Sequence, residues 1–140
     1  MKFEIQKDFP PNYEQIKKVF DIDGKNIVFT YGISLYNPQG KEIEPHLIIH
    51  EQVHQRQQLE MGVEKWWKRY LEDKDFRQEQ EVEAYAEQYK WVKTLLSNKE
   101  TKEFLSAIAN DLSTIYKLGI NQGQAESAIR NYAKNNYKMD

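Results

Sequence analysis

The segment His50-Glu51-Gln52-Val53-His54 carries the most informative pattern in this chain. Residues four apart lie on one face of a helix, so His50 and His54 can point the same way and hold one metal ion. Glu51 follows the first histidine, where its carboxylate can take a proton from a water that the metal activates. Two imidazoles with a neighbouring carboxylate are typical of a zinc site that hydrolyses a carbonyl compound.

The histidines of the chain are clustered. There are three in all, and His46, His50 and His54 belong to this one region. The alternative interpretation is a solvated amphipathic helix with two surface histidines. Three histidines stacked over two turns cannot converge on one tetrahedral ion, so His46 is expected in the surroundings of the metal, at the surface or near the substrate.

Composition restricts the class of protein. The 140 residues are 39% hydrophobic and 30% charged, which predicts one globular domain over 1–140, and the net charge of -2 predicts neither nucleic acid nor a membrane as partner. Because there is no cysteine, a metal must use His, Asp or Glu. Residues 1–6 lack the apolar run of a signal peptide, and no stretch is long enough to cross a membrane. A cytoplasmic location is expected, with a virus particle as the alternative.

The first part of the chain, about 1–44, is expected to form a small antiparallel or mixed sheet and one short helix. Asn12 and Gln15 have the spacing of a capping box at the start of a helix over 13–20. Residues rich in β-formers predict strands at the following places: 2–6, 26–31, 33–36 and an edge segment at Ile43.

The second part, about 45–140, is expected to be helical. Pro45 and Gly62 are typical of the first turn and the end of the helix that carries the histidines. A helix over 63–71 is expected to pack its aromatic residues into the core. Apolar periodicity predicts three more helices: one capped by Asp75 and running to Ser97, with Asn98 ending it, one around 104–112 and one around 125–133.

A catalytic zinc needs a third protein ligand. The pattern HExxHxxGxxH would supply another histidine, but here those positions hold Gln57 and Glu60. The long helix offers Glu79, Glu81, Glu83 and Glu87 instead. Glu81 lies beside the apolar stripe and next to the small Ala84, so helical geometry favours it, with Glu83 as the alternative. The alternative interpretation is that all four are surface charges, which charge-rich helices usually carry.

The combination of His50-Glu51-Gln52-Val53-His54 with Glu81-Val82-Glu83-Ala84-Tyr85 resembles the gluzincin metallopeptidases. The resemblance covers roughly 26–92, and it implies a minimal zincin-like α+β domain in which the first Glu of the second motif binds the metal. The segment 31–38 is also similar to small phage-encoded zincin-like proteins. Many members carry Asp at the position of Tyr85, where it hydrogen-bonds a metal-binding histidine, so here another group must do so.

The resemblance implies further roles around the metal. A Tyr or His would stabilise the oxyanion, and Tyr31, Tyr36, Tyr85 and Tyr116 are candidates, with His46, Tyr36 and Tyr85 named as neighbours of the metal or substrate. The strand around 33–36 would be an edge strand that pairs with an extended peptide.

The predicted function is that of a zinc metallopeptidase. His50, His54 and Glu81 would bind Zn²⁺, and Glu51 would be the general base for hydrolysis of a peptide or protein substrate. One alternative is a structural or assembly protein that the metal stabilises, such as a component of a phage particle. Another is a binding module that uses no metal. The sequence predicts neither a particular substrate nor an oligomeric state.

Overall fold

The protein is α+β, with six helices and one small sheet among the residues that the computed structural model describes, 2–135. The strands are β1 (Glu4–Gln6), β2 (Phe29–Tyr31) and β3 (Ser34–Tyr36). The helices are α1 (Tyr13–Val19), α2 (Pro45–Met61), α3 (Val63–Glu72), α4 (Lys74–Lys93), α5 (Asn98–Ile115) and α6 (Gln122–Asn135). None of the helices in this part of the chain is both long and apolar enough to cross a membrane.

The chain forms two compact units, the first ending at Glu72 and the second beginning at Asp73. The first unit contains the sheet and the helices α1 to α3, and the second contains α4 to α6. The predicted division near residue 44 is one of secondary structure: all three strands lie before it, and α2 to α6 lie after it. The description of 1–140 as one domain stays a prediction.

The sheet has the strand order β1-β3-β2. β1 runs parallel to β3 and β2 runs antiparallel to it, so the sheet is mixed, as predicted. β3 lies in the centre and is paired on both sides, with Leu35 fully buried. The prediction that β3 is an edge strand is therefore wrong. Ile43 is not in a strand either, because the chain from Lys41 to Glu44 makes no ladder before α2 begins.

The hairpin between β2 and β3 is tied to α2 by glutamine side chains. Gly32 is the first of the two residues in the turn between β2 and β3. Its φ is +61°, and a type II′ hairpin turn requires a positive φ at this position. Its N–H donates to Oε1 of Gln58 at 2.7 Å, and its carbonyl accepts from Nε2 of Gln55 at 3.2 Å. Gln58 also donates through Nε2 to the carbonyl of Thr30 at 2.9 Å. These bonds set the hairpin against the helix that carries the histidines.

Helices α2 and α3 have the ends that the sequence predicts. Pro45 is at the start of α2, and Gly62 follows its last residue with φ of +105°. In α3, Trp66, Trp67 and Tyr70 are buried and their rings contact one another. The Trp67 indole also donates to the carbonyl of Thr30 at 3.1 Å. The aromatic residues of α3 are thus part of the core, as expected.

Several predicted helix ends are wrong. Asp73, not Asp75, caps α4, because its carboxylate accepts from the N–H groups of Asp75 and Phe76. Asn98 does not end α4 but begins α5, since Ser97 and Glu100 form a reciprocal capping box there. Asn12 precedes α1 but makes no side-chain cap, and both polar atoms of its amide lack a partner.

The helices α4, α5 and α6 share a hydrophobic core. A buried arginine completes the end of α5: Arg77 donates through Nε to the carbonyl of Tyr116 at 2.8 Å and through a terminal nitrogen to that of Lys117 at 3.4 Å. Lys117 itself has a positive φ of 55°, which turns the chain away after the helix.

The hydrophobic core that α4, α5 and α6 share consists of the following buried residues: Val82, Tyr85, Ala86, Leu105, Ile108, Ala109, Leu112, Leu118, Ala125, Ile129 and Ala133.

Candidate metal centre

Three of the predicted ligands form one buried group. His50 and His54 of α2 and Glu81 of α4 each offer one ligand atom, and these atoms all lie within 4.8 Å of one another. The exposed fractions of the three residues are 4%, 5% and 3%. Polar side chains so deeply buried must have their hydrogen-bonding and charge requirements satisfied, and a shared cation would contribute to that.

The donor set fits a divalent metal. Zn²⁺ binds imidazole nitrogen and carboxylate oxygen at about 2.0–2.2 Å, which in a tetrahedron separates neighbouring ligand atoms by roughly 3.4 Å. The ligand atoms of this group are at most 4.8 Å apart, which is close to this spacing. Two nitrogens and one oxygen also suit other first-row divalent metals, so the group can bind a metal ion without selecting zinc.

The acidic residues of α4 have different surroundings. Glu81 is buried, whereas Glu83 is half-buried and accepts a hydrogen bond from the Tyr132 hydroxyl at 3.1 Å. Glu79 is exposed, and Glu87 forms an ion pair with Lys90 at 2.9 Å. The metal-ligand group contains Glu81, the residue that helical geometry favours, and its role as a ligand stays a prediction.

Glu51 is held beside this group by the first unit's own hairpin. The hydroxyl of Thr30 in β2 donates to Oε1 of Glu51 at 2.8 Å. Oε2 lies 4.0 Å from Nε2 of His50, which is longer than a hydrogen bond. The second carboxylate oxygen therefore faces the imidazole without being bound to it. The Glu51 side chain is 13% exposed and so retains a small accessible surface.

Neighbouring side chains restrict the His54 ring, among them Gln57 and Trp66. Its Nδ1 is 2.8 Å from Oε1 of Gln57, one turn further along α2, and both residues are buried. The centroid of its ring lies 5.4 Å from that of Trp66 in α3. The hydrogen bond and the packing together fix the direction in which the opposite edge of the imidazole points.

The other candidates named from the sequence are placed as follows. His46 is not in the metal-ligand group, and its Nε2 lies 2.6 Å from a carboxylate oxygen of Glu44. The hydroxyls of Tyr85 and Tyr116 are 2.7 Å apart and share a hydrogen bond. Tyr36 ends β3 and is half-buried. Their roles as neighbours of the metal or substrate stay predictions.

The surroundings of Tyr31 raise the pKa of its hydroxyl. Burial raises the pKa of its hydroxyl above the ordinary value, and the nearby Glu64 and Tyr36 raise it further. The phenol therefore stays protonated across the neutral range, and it can donate a hydrogen bond there. That one of the candidate tyrosines stabilises an oxyanion stays a prediction.

Sequence reasoning missed Thr30 and Gln57, the two residues that hydrogen-bond Glu51 and His54. Gln57 could have been found, because it lies three residues after His54 and so shares its helix face. Thr30 could not, since a bond across 21 residues of sequence depends on how β2 packs on α2.

Comparison of the chain with known protein families, curated proteins and solved structures gives no match. The resemblance to the gluzincins therefore depends on the two motifs and their spacing. It remains a prediction, and a function has to be argued from the chemistry of the side chains themselves.

Proposed function

We propose that the protein is a zinc-dependent metallopeptidase of minimal zincin-like fold. His50, His54 and Glu81 would hold the metal, and Glu51 would be the general base. The observation that supports this most strongly is the position of the Glu51 carboxylate, held by Thr30 beside a buried group of three potential ligands. A site that only stabilised the fold would not need this fourth, unligated carboxylate.

When bound, zinc would lower the pKa of a nearby water and polarise the substrate carbonyl. Glu51 would take the proton of that water as its oxygen attacks the carbonyl carbon. The same carboxylate would then deliver the proton to the amine nitrogen as the C–N bond breaks. Because Thr30 occupies Oε1, Oε2 is the oxygen that would exchange the proton.

One observation favours a second candidate, a metal site that only stabilises the fold. The three ligands are at most 5% exposed, and closed surroundings are typical of structural zinc sites, whereas catalytic ones keep an open position. The accessible surface of Glu51 argues against this second candidate, because it gives the proposed base a path to solvent. The two candidates differ in what they require of this one carboxylate.

The test is to measure zinc content and peptide cleavage together. Protein purified without chelator should contain about one zinc per chain by elemental mass spectrometry, and it should cleave members of a library of internally quenched peptides. Glu51→Gln should keep the zinc and lose cleavage by about 10²- to 10⁴-fold, which is the usual contribution of a general base. Absence of zinc, or cleavage that survives this substitution, would refute the proposed mechanism. Zinc without any cleavage by the unaltered protein would support the structural site.

The third ligand is tested by a matched pair on α4. Glu81→Ala should release the zinc, because it removes one of three protein ligands. Glu83→Ala shortens the same type of side chain two residues away, removes the bond from Tyr132 and leaves the three proposed ligands in place, so it should keep the metal. Equal zinc contents in the two variants would rule out Glu81 as the ligand.

A further inference from the structure

We infer that Gln57 is a positioning residue that sets the tautomer and orientation of His54. The inference rests on the proposed function in that His54 is taken as a metal ligand. It adds a residue outside both motifs to the machinery of the site. The observation behind it is the 2.8 Å separation of Gln57 Oε1 and His54 Nδ1, between two residues that are each 5% exposed.

The hydrogen bond determines which nitrogen is free. A neutral imidazole has one N–H, and an amide oxygen can only accept, so the proton lies on Nδ1 of His54. Nε2 then keeps its lone pair and can bind a metal. If Nδ1 were the bare nitrogen, the proton would lie on Nε2 and block that atom. Gln57 thus selects the tautomer in which the far edge of the ring is a ligand.

Helix geometry makes the contact local and repeatable. Gln57 follows His54 by three residues, so both side chains lie on one face of α2 and meet without any long-range packing. Gln58 is also within one turn of His54, but its amide and that of Gln55 bond the hairpin backbone instead. The described hydrogen bonds of these three glutamines therefore differ: Gln57 bonds the histidine, and Gln55 and Gln58 bond the hairpin.

The choice of an amide over a carboxylate has a chemical consequence. A carboxylate partner makes a metal-binding imidazole more basic and a stronger ligand. The group already contains Glu81, with Glu51 alongside, and a further buried negative charge would offset more of the metal's charge. A neutral acceptor orients His54 while leaving the cation more able to polarise a carbonyl.

The test compares Gln57→Met with Gln57→Glu. The controls are Gln58→Met and Gln55→Met, which make the same change of side chain at two other buried glutamines of α2. The zinc dissociation constant is measured by competition with a chromophoric chelator. Gln57→Met should raise it about 10- to 100-fold, the usual effect of removing such a partner. Gln57→Glu retains an acceptor and should bind zinc at least as tightly as the unaltered chain. Both controls should bind zinc as the unaltered chain does, although Gln58→Met lowers the stability of the fold.

A second measurement needs no metal. Long-range ¹H–¹⁵N spectra of the metal-free protein, at a mildly alkaline pH where imidazoles are neutral, report which nitrogen of His54 carries the proton. The expected tautomer has it on Nδ1, and Gln57→Met should weaken that preference. A proton on Nε2 in the unaltered protein would overturn the inference, as would a Gln57→Met variant that binds zinc like the controls. Failure of the unaltered protein to bind zinc would instead refute the proposed function, and the tautomer would still decide the role of Gln57.

Discussion

The glutamine ties between α2 and the hairpin allow a sharp prediction about stability. Gln58→Met removes both hydrogen bonds of a fully buried side chain while keeping its length. The N–H of Gly32 then loses its acceptor, which costs about 1–3 kcal/mol for a buried group. The carbonyl of Thr30 keeps the indole of Trp67 at 3.1 Å, so its loss is only about 0.5–1 kcal/mol. We expect a total loss of about 1.5–4 kcal/mol.

Gln55→Met is the matched control, because Gln55 is equally buried on the same helix. Its Oε1 has no hydrogen-bond partner, so replacing the amide removes an unsatisfied acceptor. That gain opposes the loss of the 3.2 Å bond to the Gly32 carbonyl. The net change should therefore be small, within about 1 kcal/mol.

The assay is urea unfolding followed by tryptophan fluorescence, with a chelator present so that metal binding does not contribute to the free energy. Trp66 and Trp67 lie in α3 of the first unit and Trp91 lies in α4 of the second, so every protein in the comparison carries Trp91→Phe to make the signal report the first unit. The free energy of unfolding should fall clearly more in Gln58→Met than in Gln55→Met. Equal losses in the two variants would refute the reasoning from hydrogen-bond satisfaction.

Two further changes test other contacts. Thr30→Val should lower the rate of peptide cleavage about tenfold with the zinc content unchanged, because Glu51 loses its hydroxyl donor. Thr30→Ser keeps the hydroxyl and should keep most of the rate. Equal rates in the two variants would contradict this role of Thr30. Arg77→Met should lower the free energy of unfolding by about 2 kcal/mol, since two carbonyls at the end of α5 lose a charged donor; an unchanged urea midpoint would contradict it.

What the sequence predicts correctly is what depends on local signals. Pro45 and Gly62 bound α2 because both act through their own backbone preferences. The burial of Glu81 follows from helical periodicity, which relates each position to the apolar stripe. The start of α5 also has a local signal: Ser97 and Glu100 have capping-box spacing, and this favours Asn98 as the first residue of α5 over its interpretation as the end of α4.

What the sequence does not predict depends on contacts between distant residues. The central position of β3 arises because β1, nearly thirty residues earlier, pairs with it in parallel. Nothing within 33–36 distinguishes a central strand of three residues from an edge strand. The bond from Thr30 to Glu51 likewise exists only once β2 has packed against α2.

The central position of β3 bears on how a substrate would be recognised. A strand with neighbours on both sides has its backbone groups committed to the sheet, so β3 cannot read the main chain of an extended peptide. The outward carbonyl of Thr30 in β2 is also taken, by Gln58 and Trp67. Pairing of an extended peptide with this sheet would therefore have to use one of the two outer strands, and β1, whose three residues are all exposed, has the more accessible edge.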